Sequence, residues 1–465
     1  MKLFMQFTQV ALLGCSLVVA TVQAADFRLP AYEKVVLENG LTLYLLPQHE
    51  VPLVTAKVVV KAGAIYDDKA GLAHLTAQSL LLGAAGQSKS QIEQTVDMLG
   101  ASLNSGSDLE GSSVQVNFMA KDSARMLPLL QAVVMQPDFP AAEFAKLKQR
   151  EIAALTQAKE SPRQVIDQYF HRLVFGQHPY GKTLLGDDNS VKSIALTDIQ
   201  AFHRSYYQPA NTAIVVAGDF TASQMKQQLQ QLFASWKNSA ALPAVDLQAN
   251  LPKPTASRVL LVDKSDATET TFLIGGPGVT QSNPDYVGIS VINTVLGGRF
   301  TSWLNDELRV NSGLTYGAGS GFDRYSAAGL FSISSFTKTD STEAALDLAL
   351  KTYQKLWSQG LDQATLDSAK AYVKGQFPPK FETNAALAGL LGDMYLYGFN
   401  EDYINDFQSK VDNLTLAQSK RLIESYFPKD KLQLVLIGNA KNIAPVAAKY
   451  GQVTQLDIKA SGFGQ

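Results

Sequence analysis

Cysteine is almost missing from this chain. The one copy, Cys15, sits in an apolar N-terminal stretch. A disulfide is therefore excluded, and so is a thiolate metal site. An excess of charge of one sign is missing too. Forty Lys and Arg stand against forty-two Asp and Glu, for a net charge of −2. There is no basic stripe or tail, so no nucleic-acid partner is expected. Long apolar runs are absent after the N-terminus. None approaches the ~20 residues that span a bilayer, so no membrane span is expected. The five histidines offer no cluster: His49, His171 and His203 stand alone, and His178 before Pro179 reads as a turn residue.

What the chain does have starts at its first residue. Met1-Lys2 is a short positive start, an apolar stretch follows, and Val22-Gln23-Ala24 places small residues at the cleavage positions. Residues 1–24 read as a secretory signal peptide cut after Ala24, which predicts a periplasmic protein. A membrane anchor and lipid attachment at Cys15, within Leu12-Leu13-Gly14-Cys15, are the alternatives. The apolar run 16–22 speaks against lipid attachment, because it would then begin the mature chain.

A chain of 465 residues is too long for one ordinary core. Residues 237–257 contain Pro243, Pro252 and Pro254 with few large apolar side chains, and prolines so spaced disfavour helix and central strand. They read as a linker between 25–236 and 258–465. The two parts look like repeats. In the first, strands are predicted at 41–46, 53–62 and 113–119, with helices at 71–82, 90–99, 121–135 and 141–159. In the second, strands at 257–264, 270–276 and 329–336 accompany helices at 285–296 and 302–309. Each part closes with a helix and an apolar strand, 193–207 with 212–217 and 414–427 with 432–437, and Thr197 and Thr415 are the expected helix caps. Strands mixed with amphipathic helices, without strict alternation, predict an α+β fold with sheets covered on one face by helices.

The helix at 71–82 carries a damaged motif. In H-x-x-E-H, two histidines at i and i+4 bind zinc and the glutamate takes a proton from the metal-bound water. Here the five residues are His74, Leu75, Thr76, Ala77 and Gln78. The general-base position is an alanine and the second ligand position is a glutamine. A third ligand is expected on a later helix near 153–157, which reads Ala-Ala-Leu-Thr-Gln and has no acid. Glu151 and Glu160 fall outside that window. His74 then reads as a partly buried polar residue with a hydrogen bond.

With Asn39-Gly40-Leu41, Gly63-Ala64, His178-Pro179-Tyr180-Gly181, Tyr206-Tyr207-Gln208-Pro209-Ala210-Asn211 and Val215-Val216-Ala217-Gly218-Asp219 in order, the chain resembles the pitrilysin and mitochondrial-processing-peptidase family of inverzincins. The likeness is to the small bacterial two-repeat form and spans the whole mature chain. It implies two homologous halves that close like a clam-shell when paired. In the second half, Gly297-Gly298-Arg299-Phe300 leads to Arg309 and then to Gly313-Leu314-Thr315-Tyr316, similar to the family's arginine–tyrosine signature. That similarity implies substrate contact by Arg309 and Tyr316 at the scissile bond, where guanidinium and phenol donate hydrogen bonds to an oxyanion or a nearby carbonyl. The implied role is a non-catalytic subunit that binds no cofactor itself. A homologous H-x-x-E-H partner would hold the zinc, and unfolded peptide would add as a strand to a sheet edge. A peptide-binding scaffold with no peptidase partner is the alternative reading, and a peptidase active on its own is the third.

Overall fold

The computed structural model describes residues 27–239 and 241–464. The expected signal peptide and Cys15 lie outside the described residues. The first half contains strands β1 (Glu33–Val36), β2 (Thr42–Pro47), β3 (Leu53–Val60), β4 (Gly83–Ala84), β5 (Gln87–Ser88), β6 (Ser102–Ser107), β7 (Ser112–Met119) and β8 (Thr212–Gly218). Its helices are α1 (Leu72–Ser79), α2 (Lys89–Met98), α3 (Ser123–Met135), α4 (Ala141–Ala158), α5 (Pro162–Phe175), α6 (Asp188–Ser193), α7 (Leu196–Tyr206) and α8 (Ala222–Phe233). The second half contains β9 (Arg258–Asp263), β10 (Glu269–Pro277), β11 (Ala318–Arg324), β12 (Gly329–Lys338), β13 (Gln433–Gly438) and β14 (Gln452–Asp457). Its helices are α9 (Tyr286–Leu296), α10 (Trp303–Asn305), α11 (Thr342–Ser358), α12 (Gln363–Gln376), α13 (Asn384–Tyr397), α14 (Asp402–Asn405), α15 (Phe407–Asp412), α16 (Leu416–Tyr426) and α17 (Ala440–Ala447). Among the described residues, no helix is long and apolar enough to cross a membrane.

The two six-stranded sheets have one plan. Their orders are β1-β2-β8-β3-β7-β6 and β14-β9-β13-β10-β12-β11. In each, the closing strand lies parallel to the opening one, with Thr42 opposite Ala213 and Arg258 opposite Gln433. The next strand runs antiparallel to it, with Val58 opposite Ile214 and Leu273 opposite Val435. The halves are therefore structural repeats, with α1, α4 and α5 matching α9, α12 and α13.

Side chains alternate across a strand, and here both faces are buried. On β2 and β8, Leu43, Leu45, Ile214 and Val216 belong to the core of the first half. Tyr44, Leu46, Ala213, Val215 and Ala217 face the opposite way, into a core shared with the second half. The helix on that second face is α13, which packs on β3 and β8 and brings Leu387, Ala388 and Leu391. Its match, α5, packs on β10 and β13 of the other sheet. It buries Val165, Ile166, Tyr169, Phe170, Val174 and Phe175 against Leu273, Val435 and Ile437. Each half thus lends one helix to the other's sheet. Sequence reading expects helices on one face only. The exchange explains why β8 reads Thr-Ala-Ile-Val-Val-Ala-Gly without polar alternation.

Polar groups lock the same interface. The Tyr180 hydroxyl donates to Glu110 (2.7 Å), the Ser326 amide donates to Glu110 (3.1 Å), and the Ala327 amide donates to the Tyr180 hydroxyl (3.0 Å). The Arg258 guanidinium donates to the Leu173 carbonyl (2.6 Å). His178 is the turn residue expected: its Nδ1 accepts from the Tyr180 amide (3.2 Å), and its Nε2 meets the Leu247 carbonyl in the linker (3.1 Å).

Local expectations fared unevenly. Thr415 caps α16, accepting from the Gln418 amide (3.2 Å) while its own amide donates to the Gln418 side chain (2.8 Å). Thr197 is not a cap. The helix expected at 193–207 is present as α7, but it starts at Leu196, one residue before Thr197. Ala195 holds the cap position, and its amide donates to Asp198 (2.7 Å). At Phe377-Pro378-Pro379-Lys380-Phe381 the prolines break the helical run: α12 ends at Gln376 and a 3₁₀ turn follows.

A fully buried apolar side chain contributes about 2 kcal/mol, and a whole domain keeps only about 5–15 kcal/mol. A half deprived of the exchanged helix therefore has no reserve. Phe170→Ala should cost about 3–5 kcal/mol and destabilise both halves together. Fluorescence of Trp236 in the first half and of Trp303 and Trp357 in the second, each kept alone in turn, should report one urea midpoint. Separate midpoints would show the halves to be independent.

Candidate functional site

Helix α1 is placed by Asp67. Its carboxylate accepts from the amides of Gly71 (2.9 Å), Leu72 (3.0 Å) and Ala73 (2.8 Å), the orphan donors of a helix N-terminus. Gly71 precedes the helix at φ +91°, and a Cβ there would come within 2.9 Å of the Leu185 carbonyl. Only glycine meets both conditions without strain. Lys182 donates to the carbonyls of Ile65 (2.9 Å) and Asp67 (2.7 Å) and closes the corner. Burial pushes the Asp67 carboxyl up to about 7, against the opposing pull of those amides and of Lys182.

The helix so placed presents the damaged motif. His74 Nε2 lies 3.4 Å from the Glu151 carboxylate on α4. This hydrogen bond is the main cause that holds the Glu151 carboxyl below the usual range. Glu151 is a correction to the sequence reading, which sets the facing acid two residues or more further along. The helix α4 crosses α1 earlier than that window allows. Ala77 is buried and offers only a methyl group. Gln78 donates its amide to the Ser105 carbonyl on β6 (3.0 Å). A catalytic zinc takes three protein ligands and a water. Here His74 and Glu151 supply two donors, Gln78 is turned to the strand, and no third ligand stands with them. The residues do not fit a zinc site. Among the described residues, no three His, Cys, Asp or Glu side chains come together as a metal would require.

The second half carries a different arrangement. After α10 the chain enters a π-helical turn, Asp306–Asn311, which contains Arg309. Such turns recur at functional sites. The Arg309 guanidinium lies 4.8 Å from the centre of the Phe300 ring and 4.6 Å from that of Tyr316. It is half-buried between two rings that are themselves out in solvent, Phe300 66% and Tyr316 76% exposed. The structure therefore brings Arg309 and Tyr316 together. It also adds Phe300, which the sequence marks only as part of a landmark.

The surrounding backbone is tightly held. Asn305 is buried, donates to the Phe300 carbonyl (2.7 Å) and accepts from the Ala318 amide (3.4 Å). Thr337 on β12 donates to the Leu314 carbonyl (2.6 Å), and Ser335 donates to Gly317 (2.9 Å). Gly297 lets β11 pass close by, since a Cβ there would lie 2.3 Å from the Ser320 amide. Tyr316 stands just before β11, and Gln78 bonds to β6. Both are edge strands, paired on one side only. The open side of β11 is partly occupied, since the Ser320 amide donates to the Gly297 carbonyl and Asn293 donates to the Ser320 carbonyl (3.0 Å), whereas on β6 Gln78 takes the Ser105 carbonyl.

Family models match most of the chain. The model described as insulinase (peptidase family M16) covers residues 44–188, and that of the peptidase M16 inactive domain covers residues 193–373. The zinc protease PqqE of Helicobacter pylori is 24% identical over 434 residues, covering 90% of this chain and 97% of that protein. The non-peptidase homolog YmxG of the same species is 22% identical over 401 residues, covering 84% and 90%. The crystal structure of a peptidase M16 inactive domain from Pseudomonas fluorescens matches with a TM-score of 0.82 at 27% identity, over 88% of this chain and 98% of that one.

The Asp67 cap gives a pH signature. Its folded value of about 7 lies above the ordinary 3.8, so the folded state holds that proton more tightly than the unfolded one. The stability it adds is full below about 4 and is lost as pH rises to about 7. Asp67→Asn should flatten the loss of stability between those limits, measured as urea midpoints across the pH series. An unchanged slope would show that Asp67 does not titrate there.

Proposed function

We propose, from the premise that the chain belongs to the M16 peptidase family, that it is the non-catalytic, substrate-contacting subunit of a heteromeric zinc peptidase exported to the periplasm. One contrast carries this reading. The first half lacks the general base and the second ligand position of the zinc motif. The second half keeps Arg309 held between Phe300 and Tyr316 on an exposed face. A chain with no use for peptide chemistry has no reason to hold a cation between two solvent-facing rings.

The chemistry fits a divided site. The metal and the general base belong to a homologous partner with an intact H-x-x-E-H. This chain contributes donors: the Arg309 guanidinium and the Tyr316 hydroxyl, aimed at a peptide carbonyl where negative charge develops. An unfolded peptide adds as a strand to a sheet edge, that of β6, and is held by backbone hydrogen bonds. Two relatives in one species, one named a zinc protease and the other a non-peptidase homolog, are what a two-chain enzyme of this kind needs. A peptide-binding scaffold with no peptidase partner is the competing reading.

The purified chain should cleave no peptide and carry no stoichiometric zinc. Mixed with an H-x-x-E-H partner from the same periplasm, it should give endopeptidase activity. Arg309→Ala with Tyr316→Phe should lower kcat/KM of the mixture by about tenfold to a thousandfold, the range for lost oxyanion donors. Full activity in that double variant would rule out a shared site. Inactivity with every partner, and no zinc peptidase in a pull-down, would favour the scaffold.

A further inference from the structure

A recess in the second half is lined by neither Arg309 nor Tyr316. It is a cleft of about 760 Å³ between α9, α12, α13 and the end of β11. Helices α9 and α12 are the repeats of α1 and α4, the pair that carries His74 and Glu151. The cleft is thus the second half's counterpart of the damaged zinc frame. It holds none of that frame's ligand types on α9 or α12, where Ser290, Asn293 and Thr294 face Tyr372 and Val373. Its size is that of a small-molecule site.

The lining is divided. Phe322, Phe377, Leu390 and Phe407 make apolar walls, and Phe377 and Phe407 stack with ring centres 3.7 Å apart. At one end stands Arg324. Its guanidinium lies 4.8 Å from the Tyr286 ring centre, and Nη2 donates to the Tyr403 hydroxyl (2.6 Å). Tyr286 and Tyr403 are themselves stacked, 4.2 Å apart. Nη1 is buried and has no hydrogen-bond partner. Among the described residues, no carboxylate lies within 4.0 Å of this cation. A half-buried cation without a counter-charge is costly, and an anion brought to it relieves that cost. The cleft's own carboxylate, Asp393 on α13, feels Lys57 and Asp108 among its charged neighbours. It lies toward the first half, while Arg324 ends β11.

We infer that this cleft binds a carboxylate carried on an apolar or aromatic body, with the carboxylate toward Arg324 and the body against the wall of Phe322, Phe377 and Leu390. Such a ligand is either a free apolar acid or the C-terminal residue of a peptide. Both present the same chemistry. The site is independent of the Arg309 and Tyr316 reading and stands or falls separately.

Calorimetric titration of the full chain tests this with three probes: 3-phenylpropanoate, its amide, and N-acetyl-alanyl-phenylalanine with a free carboxylate. At least one acid should bind saturably, and the amide should bind about tenfold or more weakly, as expected when a charge-assisted bond is lost. Preference for the peptide acid assigns the site to chain ends, and preference for the free acid assigns it to small molecules. Arg324→Gln should erase the discrimination between acid and amide. Gly389→Met offers a second variant: Gly389 lines the cleft, and nothing lies within 4 Å of a Cβ placed there. The substitution fills the space and favours the helix, so it should abolish binding in a folded protein. Saturable binding of neither acid, equal binding of acid and amide, or unaltered binding in both variants overturns the assignment.

Discussion

The reciprocal loan of two helices is the constraint on which the rest of this molecule depends. Neither sheet is complete without a helix from the other half. α13 covers β3 and β8, and α5 covers β10 and β13. The link between the halves is therefore a packed core rather than a tether. The proline-containing segment 237–257 carries the chain across, but burial and the Glu110, Tyr180 and Ser326 bonds set the geometry. A rigid platform follows, with α1 and α4 on one sheet and the π-helical turn with β11 on the other.

On that platform the two ends have had different histories. At His74 the chemistry is gone but the helix start is intact, still built by Asp67, Gly71 and Lys182. His74 and Arg150 each lie 3.4 Å from the Glu151 carboxylate, so this acid has polar partners without a metal. At Arg309 the opposite holds. Phe300, Val310 and Tyr316 are large, apolar in part and well exposed. Exposed apolar groups gathered around a cation mark an interaction surface. Stability alone accounts for the first end and not for the second.

Much of this was legible in the sequence, for identifiable reasons. Central strands such as β8 and β13 are runs of Val, Ile, Leu and Ala, and buried strands of that composition stand out. The repeat was visible because the order of strands, helices and closing strand recurs. The resemblance to the family's arginine–tyrosine signature pointed to Arg309 and Tyr316, which the structure does bring together. The edge strands β6 and β11 were missed. They read Ser-Leu-Asn-Ser-Gly-Ser and Ala-Gly-Ser-Gly-Phe-Asp-Arg, polar and glycine-rich, as suits strands with one open side. The helix exchange was illegible because periodicity shows that a face is apolar, not which sheet covers it. Phe300 joins Arg309 only through the π-helical turn, and Glu151 meets His74 only because of how α4 crosses α1. No local pattern encodes either. The Arg324 cleft has no motif at all, since its walls come from separate stretches between Val279 and Phe407.

The central claim is that the Arg309 and Tyr316 surface touches a peptide while a partner chain holds the metal. Placing a photoreactive benzoylphenylalanine at position 316 and irradiating this chain with its partner and a peptide tests it most directly. The account predicts a covalent adduct on the peptide, mapped by mass spectrometry to residues flanking the cleaved bond, and formed only when the partner is present. Adducts confined to the partner, or on peptide residues unrelated to the cleavage point, would contradict it.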